Sequence, residues 1–234
     1  MPAVIGIVPT ASLFDTDDPH KDQYLFVNNY IQRIVTNGGV PVGVLSADGH
    51  AATEAFGFCN GFLLCGGHKL WPYHLQVVEH AVQTGKPILG ICLGMQAICA
   101  YFRVREAAIA RGFAGNTLEL FDIMKKEGFM FNLPVENHWK VAITRTNVSE
   151  TKHMVDIYPG TRLYSLLGRQ VSGTTLHRYM VNGLAEGLEA TAFTADGTIE
   201  GIEGEPGILG VQFHPEVDGE MDPLFRDLIA RSRS

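Results

Sequence analysis

The chain has no Cys-x-x-Cys pair, no long apolar run and no excess of basic residues. Its four cysteines, Cys59, Cys65, Cys92 and Cys99, lack the paired spacings of a zinc ribbon or a dithiol redox site. Cys92 and Cys99 stand seven apart, as on one face of a helix, which does not suit a disulfide. Free thiols fit a reducing compartment. The apolar stretches are short and broken by glycine and charge, so no membrane-spanning helix, and no membrane partner, is expected. The opening Met1-Pro-Ala-Val-Ile-Gly lacks the basic segment of a secretory leader, and a cytoplasmic location is the expectation. Lysine plus arginine is 18 against 25 acidic residues, a net charge of −7. A nucleic-acid partner, which requires a basic face, is therefore not expected.

What the sequence does have is apolar content: 46% hydrophobic against 18% charged, which excludes a disordered chain. No repeat, linker or low-complexity tract divides the 234 residues, so one domain over 1–234 is expected, long enough to bury a core. Val4–Val8, Val40–Leu45, Gly61–Cys65, Pro87–Ile91 and Ile208–Phe213 read as strands, several of them apolar on both faces. Helical spacing covers Gln23–Thr36, Trp71–Thr84, Leu93–Phe102 and Asp222–Arg231, with a short helix over Ala51–Phe56. Leu188–Thr194 and Thr198–Glu203 flank Asp196-Gly197, a hairpin signal, and Glu205-Pro-Gly207 marks a further turn. Arg103–His153 reads as loops and short strands. Strand–helix alternation with short links predicts an α/β fold with a parallel sheet covered on both sides.

Three segments carry chemistry, each placed after a strand. In Gly90-Ile-Cys92-Leu-Gly94-Met-Gln96 a cysteine sits at a strand-to-helix turn, where glycines give the backbone room and the helix N-terminus favours a thiolate. Cys92 is also compatible with a small buried core residue. In Gln212-Phe-His214-Pro-Glu216 the two-residue spacing puts both side chains on one side of an extended chain. Glu216 could hold the imidazole in one tautomer, or His214 could simply cap the strand while Glu216 is solvated. Leu64-Cys-Gly66-Gly67-His68 offers free N–H groups that could hold an oxyanion, or only a turn. All three would lie at the carboxyl ends of strands, where open α/β sheets place their sites.

Gly-Ile-Cys92-Leu-Gly-Met-Gln together with Val-Gln-Phe-His214-Pro-Glu216 resembles the class I glutamine amidotransferase superfamily. Asn28-Asn-Tyr-Ile-Gln-Arg-Ile, Gly38-Gly-Val-Pro-Val, Gly115-Asn-Thr-Leu and the Ala192–Glu203 hairpin resemble its stand-alone γ-glutamyl-γ-aminobutyrate hydrolase type, of the peptidase C26 kind. The likeness spans nearly the whole chain and is weakest over Lys125–Lys152. It implies a flavodoxin-like three-layer α/β/α sandwich with a mostly parallel sheet. It also implies a hydrolase that cleaves a small γ-glutamyl amide through a γ-glutamyl thioester, with no cofactor. Cys92 would be the nucleophile, His214 the base and acid, and Glu216 the third member of the triad. Leu93, with Gly66 or Gly67, would form the oxyanion hole, and Gln96, His177 and Trp71 would contact substrate. The chain departs from the type at His68-Lys-Leu-Trp71-Pro72, where an Asp is common, and at Val171–His177, where a His-His-Gln segment is common. These loops would border the substrate, so the leaving amine stays open, as does assembly into a homo-oligomer. A glutaminase subunit serving a synthase, and a non-catalytic member of the fold, are the competing readings. His153 and His177 read as structural or as lining the site. His74 and His80 lack a four-residue spacing, and three good metal ligands converge nowhere in the sequence, so no metal is expected.

Overall fold

The computed structural model describes residues 1–139, 141–205 and 207–233. A nine-stranded sheet forms its centre. Its strands are β1 (Val4–Val8), β2 (Val40–Gly43), β3 (Gly61–Leu64), β4 (Ile88–Ile91), β5 (Lys152–Ile157), β6 (Gln170–Thr174), β7 (Glu189–Phe193), β8 (Ile199–Gly204) and β9 (Ile208–Val211). They lie in the order β6-β5-β7-β8-β9-β4-β3-β1-β2. From β9 through β2 every neighbouring pair is parallel. From β9 outward through β8, β7, β5 and β6 the pairs are antiparallel.

Helices cover both faces. α2 (Pro72–Thr84), α3 (Leu93–Arg111) and α4 (Thr117–Lys126) share one apolar core with the sheet, whereas α1 (Asn28–Thr36), α5 (Arg162–Leu167) and α6 (Asp222–Arg231) share the other. The strands supply the two cores alternately: Phe62 and Leu64 face α2 and α3, and Leu63 faces the opposite layer, as the two-residue strand period requires. Each such fully buried side chain contributes about 1.5–3 kcal/mol. This is the flavodoxin-like α/β fold expected from the sequence. Among the described residues no helix is long and apolar enough to cross a membrane.

Several boundaries differ from the sequence reading. The helix expected from Gln23 begins only at Asn28, because Gln23–Leu25 pairs antiparallel with Thr10–Ser12. The helix expected to end at Phe102 runs on to Arg111, where Gly112 closes it with φ 58°. Within the stretch read as loops, α4 starts at an Asn116–Glu119 capping box: the Asn116 side chain accepts the Glu119 N–H, and Glu119 Oε2 accepts the Asn116 N–H. The Asp196-Gly197 hairpin forms as expected between β7 and β8. The turn read at Glu205–Gly207 contains Pro206, outside the described residues.

Candidate active site

The site grows from the packing of α3 on the sheet. Gly90 on β4 pairs in register with Gly210 on β9, and both face α3. A Cβ on Gly90 would stand 2.7 Å from the Gly94 backbone, and one on Gly94 would stand 2.7 Å from Leu64 Cβ. Only hydrogen fits at these positions, so the first turn of α3 lies directly on the strands. The chain must therefore reverse within one residue between β4 and α3, and Cys92 is that residue. Its φ of 53° and ψ of −107° place it in a region that non-glycine residues rarely occupy. Cys92 N–H donates to the Val211 carbonyl at 2.8 Å, and its own carbonyl accepts the Gln96 N–H at 3.1 Å. These bonds hold the strained turn.

His214 follows β9 three residues beyond Val211, its N–H held by the Thr174 carbonyl at 2.8 Å. The ring donates Nδ1–H to Glu216 Oε1 at 2.7 Å, which leaves Nε2 without a hydrogen-bond partner. Burial alone would lower the His214 pKa. The Glu216 carboxylate and the Cys92 sulfur outweigh it and hold the pKa well above the ordinary 6.5. Arg33 fixes the loop after His214 by donating Nε–H to the Glu216 carbonyl at 3.2 Å and pairing with Asp222 at 3.5 Å.

Gly66 packs between these groups: a Cβ there would lie 2.8 Å from His214 Cε1 and 3.4 Å from Cys92 Cβ. Cys92, His214, Glu216, Gly66 and Gly67 together line one cleft of about 640 Å³. Of the two glycines, Gly66 donates its N–H to the Tyr30 hydroxyl at 3.0 Å. The Gly66 N–H is thus already committed, whereas the Leu93 N–H, as the first of α3, has no acceptor within the helix.

The three residues expected to contact substrate fare differently. Gln96 lines a smaller adjoining pocket with Cys92, but its amide is spent. Its Nε2 donates to the Tyr179 carbonyl and to Gln212 Oε1, both at 3.1 Å, and its Oε1 accepts from Asn132 Nδ2 at 3.1 Å. His177 lines the same pocket, yet both ring nitrogens are engaged behind it, Nδ1 with the Tyr179 carbonyl at 3.1 Å and Nε2 with His138 Nδ1 at 3.1 Å. Trp71 lies outside both cavities, packed edge-on against Phe14 with Lys69 over its ring, because it precedes α2 rather than overhanging β3. Trp139 does line the cleft, with Arg178 stacked 4.9 Å from its ring. Tyr30 lines the cleft as well. Its place at the start of an apolar helix face says core, and nothing local says that its hydroxyl faces Gly66.

The expectation that no metal ligands converge is overturned. Ligand atoms of His138, His153, His177 and Glu200 lie within 4.8 Å of one another. They come from four separate segments, and no local spacing announces them.

A cysteine on a strained turn, an imidazole–carboxylate pair lining the same cleft and a helix N-terminus behind it are the parts that thiol-dependent acyl transfer requires. Residues 20–230 match the family described as glutamine amidotransferase class-I, and the chain belongs to that family. It is 25% identical to Protein NtpR of Enterococcus hirae over 92% of this chain and 91% of that protein. It is 30% identical to the CTP synthase of Nitratidesulfovibrio vulgaris over 77% of this chain, but this is only 36% of that longer enzyme. In fold it is similar to the glutaminase domain of Trypanosoma brucei CTPS, solved with bound acivicin, with a TM-score of 0.66, 19% identity, and 99% and 94% of the two chains covered.

Proposed function

We propose that the protein hydrolyses a γ-glutamyl amide through a thioester on Cys92. The observation that carries this reading is the convergence of Cys92, at φ 53°, with the His214–Glu216 pair in one cleft. Cys92 Sγ attacks the γ-carbonyl carbon while the thiol proton passes to His214 Nε2. The oxygen that becomes negative is met by the Leu93 N–H and by the dipole of α3. The C–N bond breaks as His214 returns the proton to the leaving amine. Water, deprotonated by the same imidazole, then cleaves the thioester to release the γ-carboxylate and restore the thiol. Glu216 keeps Nδ1 protonated throughout and stabilises the imidazolium.

The walls support an amine larger than ammonia. Leu25, Val27, Trp139, Ile143 and Leu176 line the cleft beside the reacting groups. An apolar wall of this kind contributes binding energy to an organic leaving group and none to ammonia. The likeness to CTP synthase favours a second reading, in which the same site is a glutaminase that supplies ammonia to a synthase. Glutamate release by the purified protein alone, from glutamine and from a panel of γ-glutamyl amines, separates the two. A kcat/KM for the best amine at least tenfold above that for glutamine is expected. Glutamine as the best substrate, or activity only with a second protein, supports the glutaminase reading instead. No release from any of these, with wild type equal to Cys92→Ala, sinks both.

A further inference from the structure

The second cluster brings four possible metal ligands together behind the smaller pocket that Cys92 lines, into which His177 also reaches. His138 Nδ1, His177 Nε2 and Glu200 Oε1 form a triangle with sides of 3.1, 3.2 and 3.3 Å. Ligands about 2.0–2.1 Å from a tetrahedral zinc ion stand about 3.3–3.4 Å apart. His153 Nε2 lies 3.6 Å from the other carboxylate oxygen and has no hydrogen-bond partner. Glu200 is wholly buried, and neither of its oxygens meets an N–H at hydrogen-bonding geometry. A buried carboxylate left in that condition is costly unless a cation lies among the groups that surround it.

The outer nitrogens settle which atoms face inward. His138 Nε2 donates to Asp196 Oδ2 at 2.9 Å, and His177 Nδ1 donates to the Tyr179 carbonyl at 3.1 Å. Both acceptors lack hydrogens, so the ring hydrogens sit on the outer nitrogens. In neutral rings the inner lone pairs then face each other and a carboxylate, an arrangement that a cation between them would satisfy. Asp196 is itself fixed by Thr194 Oγ1 at 2.7 Å and the Thr198 N–H at 3.1 Å, the kind of support that orients a metal-binding imidazole.

We propose that His138, His153, His177 and Glu200 bind one Zn²⁺ ion as a closed structural site. Three imidazoles and one carboxylate are a nitrogen-rich set that suits zinc better than calcium or magnesium. With four protein ligands no position is left for a reacting water, so the ion is structural. It clamps four pieces of chain: the 136–139 loop, the start of β5, the 175–178 loop and β8. The first and third of these carry Trp139 and Leu176 into the cleft.

The test uses the full chain with Cys92→Ala, which removes the thiol beside His214 as a competing zinc ligand. The chain is stripped with a chelator and titrated with Zn²⁺ and with Co²⁺. One equivalent of Zn²⁺ per chain, a Co²⁺ derivative with the intense visible absorption of a tetrahedral site, and a higher Tm with metal are expected. Glu200→Gln should abolish binding. Asp196→Asn, which leaves the ligands in place, should weaken it about 10–100-fold. No bound Zn²⁺ or Co²⁺, and a Tm indifferent to chelator and added metal, would make the cluster a proton-sharing pair and overturn the proposal. So would zinc that binds equally to the parent, Glu200→Gln and Asp196→Asn proteins.

Discussion

The Tyr30 hydroxyl accepts the backbone N–H of Gly66 at 3.0 Å and lies 3.5 Å from His214 Nδ1. One buried phenol thus ties α1 to the loop after β3 and to the imidazole. Tyr30→Phe leaves the Gly66 N–H without its acceptor, at a cost of about 1–3 kcal/mol that chemical denaturation reads. Turnover should fall less than tenfold, because the Glu216–His214 bond survives. A thousandfold fall would make Tyr30 part of the proton machinery.

Cys92 should be the fastest thiol to alkylate. All four cysteines are buried, but Cys92 alone among them lines the cleft. Burial pushes the Cys99 thiol up to about 12, raises Cys65 well above its usual range, and raises Cys59 despite nearby Lys86. Brief iodoacetamide treatment followed by peptide mass mapping should find label at Cys92 first. Earlier labelling of Cys59, Cys65 or Cys99 would contradict the nucleophile assignment.

Stability should depend on pH through His214. Its folded pKa is well above 6.5, held there by Glu216 and Cys92, with the Tyr30 hydroxyl also facing the ring. The unfolded imidazole titrates near 6.5. The stabilisation is therefore complete below that value and is lost as pH rises through the folded pKa. Glu216→Gln removes the strongest of the groups that raise it, so the same loss should begin at lower pH. Melting curves for both proteins from about pH 6 to 10 check the shift. Superimposable pH profiles would mean that Glu216 does not set the charge of the ring.

Gly94→Ala should damage both stability and activity. The added methyl meets Leu64 at 2.7 Å, with strand backbone beside it, and the helix can relieve this only by lifting off β3. Overpacking of this kind costs about 1–3 kcal/mol. Because Cys92 caps the same helix, turnover should drop with Tm. Full activity in a destabilised protein would show that the turn does not depend on how closely α3 is seated.

The parallel half of the sheet was legible in the sequence because its strands are short apolar runs closed by glycine turns, and the Cys92 and His214 segments sit at their ends. The second half of α3 was not, because Arg103, Arg105 and Glu106 break the apolar run although only one face of that half is buried. The Asn116–Glu119 capping box was a readable helix start that the irregular composition around it obscured. The histidine–glutamate cluster had no local signal at all. Its members are 15, 24 and 23 positions apart along the chain: His153 and Glu200 come from the antiparallel half of the sheet, and His138 and His177 from beside a separate ribbon of Asn132–Pro134 and Tyr179–Val181.

The pairing of Val211 with Ile91 makes the separation of sulfur and imidazole a property of the sheet rather than of any loop. Cys92 follows one strand and His214 the other, and a slip of one residue between them would move the groups apart by about 3.3 Å and turn their side chains to opposite faces. Neither strand can drift, because Gly90 and Gly210 must both stay beneath α3. The cleft walls, by contrast, belong to connections that contribute nothing to this ladder. Insertions, deletions and exchanged side chains around Trp139 and Leu176 can accumulate without disturbing the reacting pair. A lineage built on this frame is free to change what it accepts while inheriting, unaltered, what it does to it.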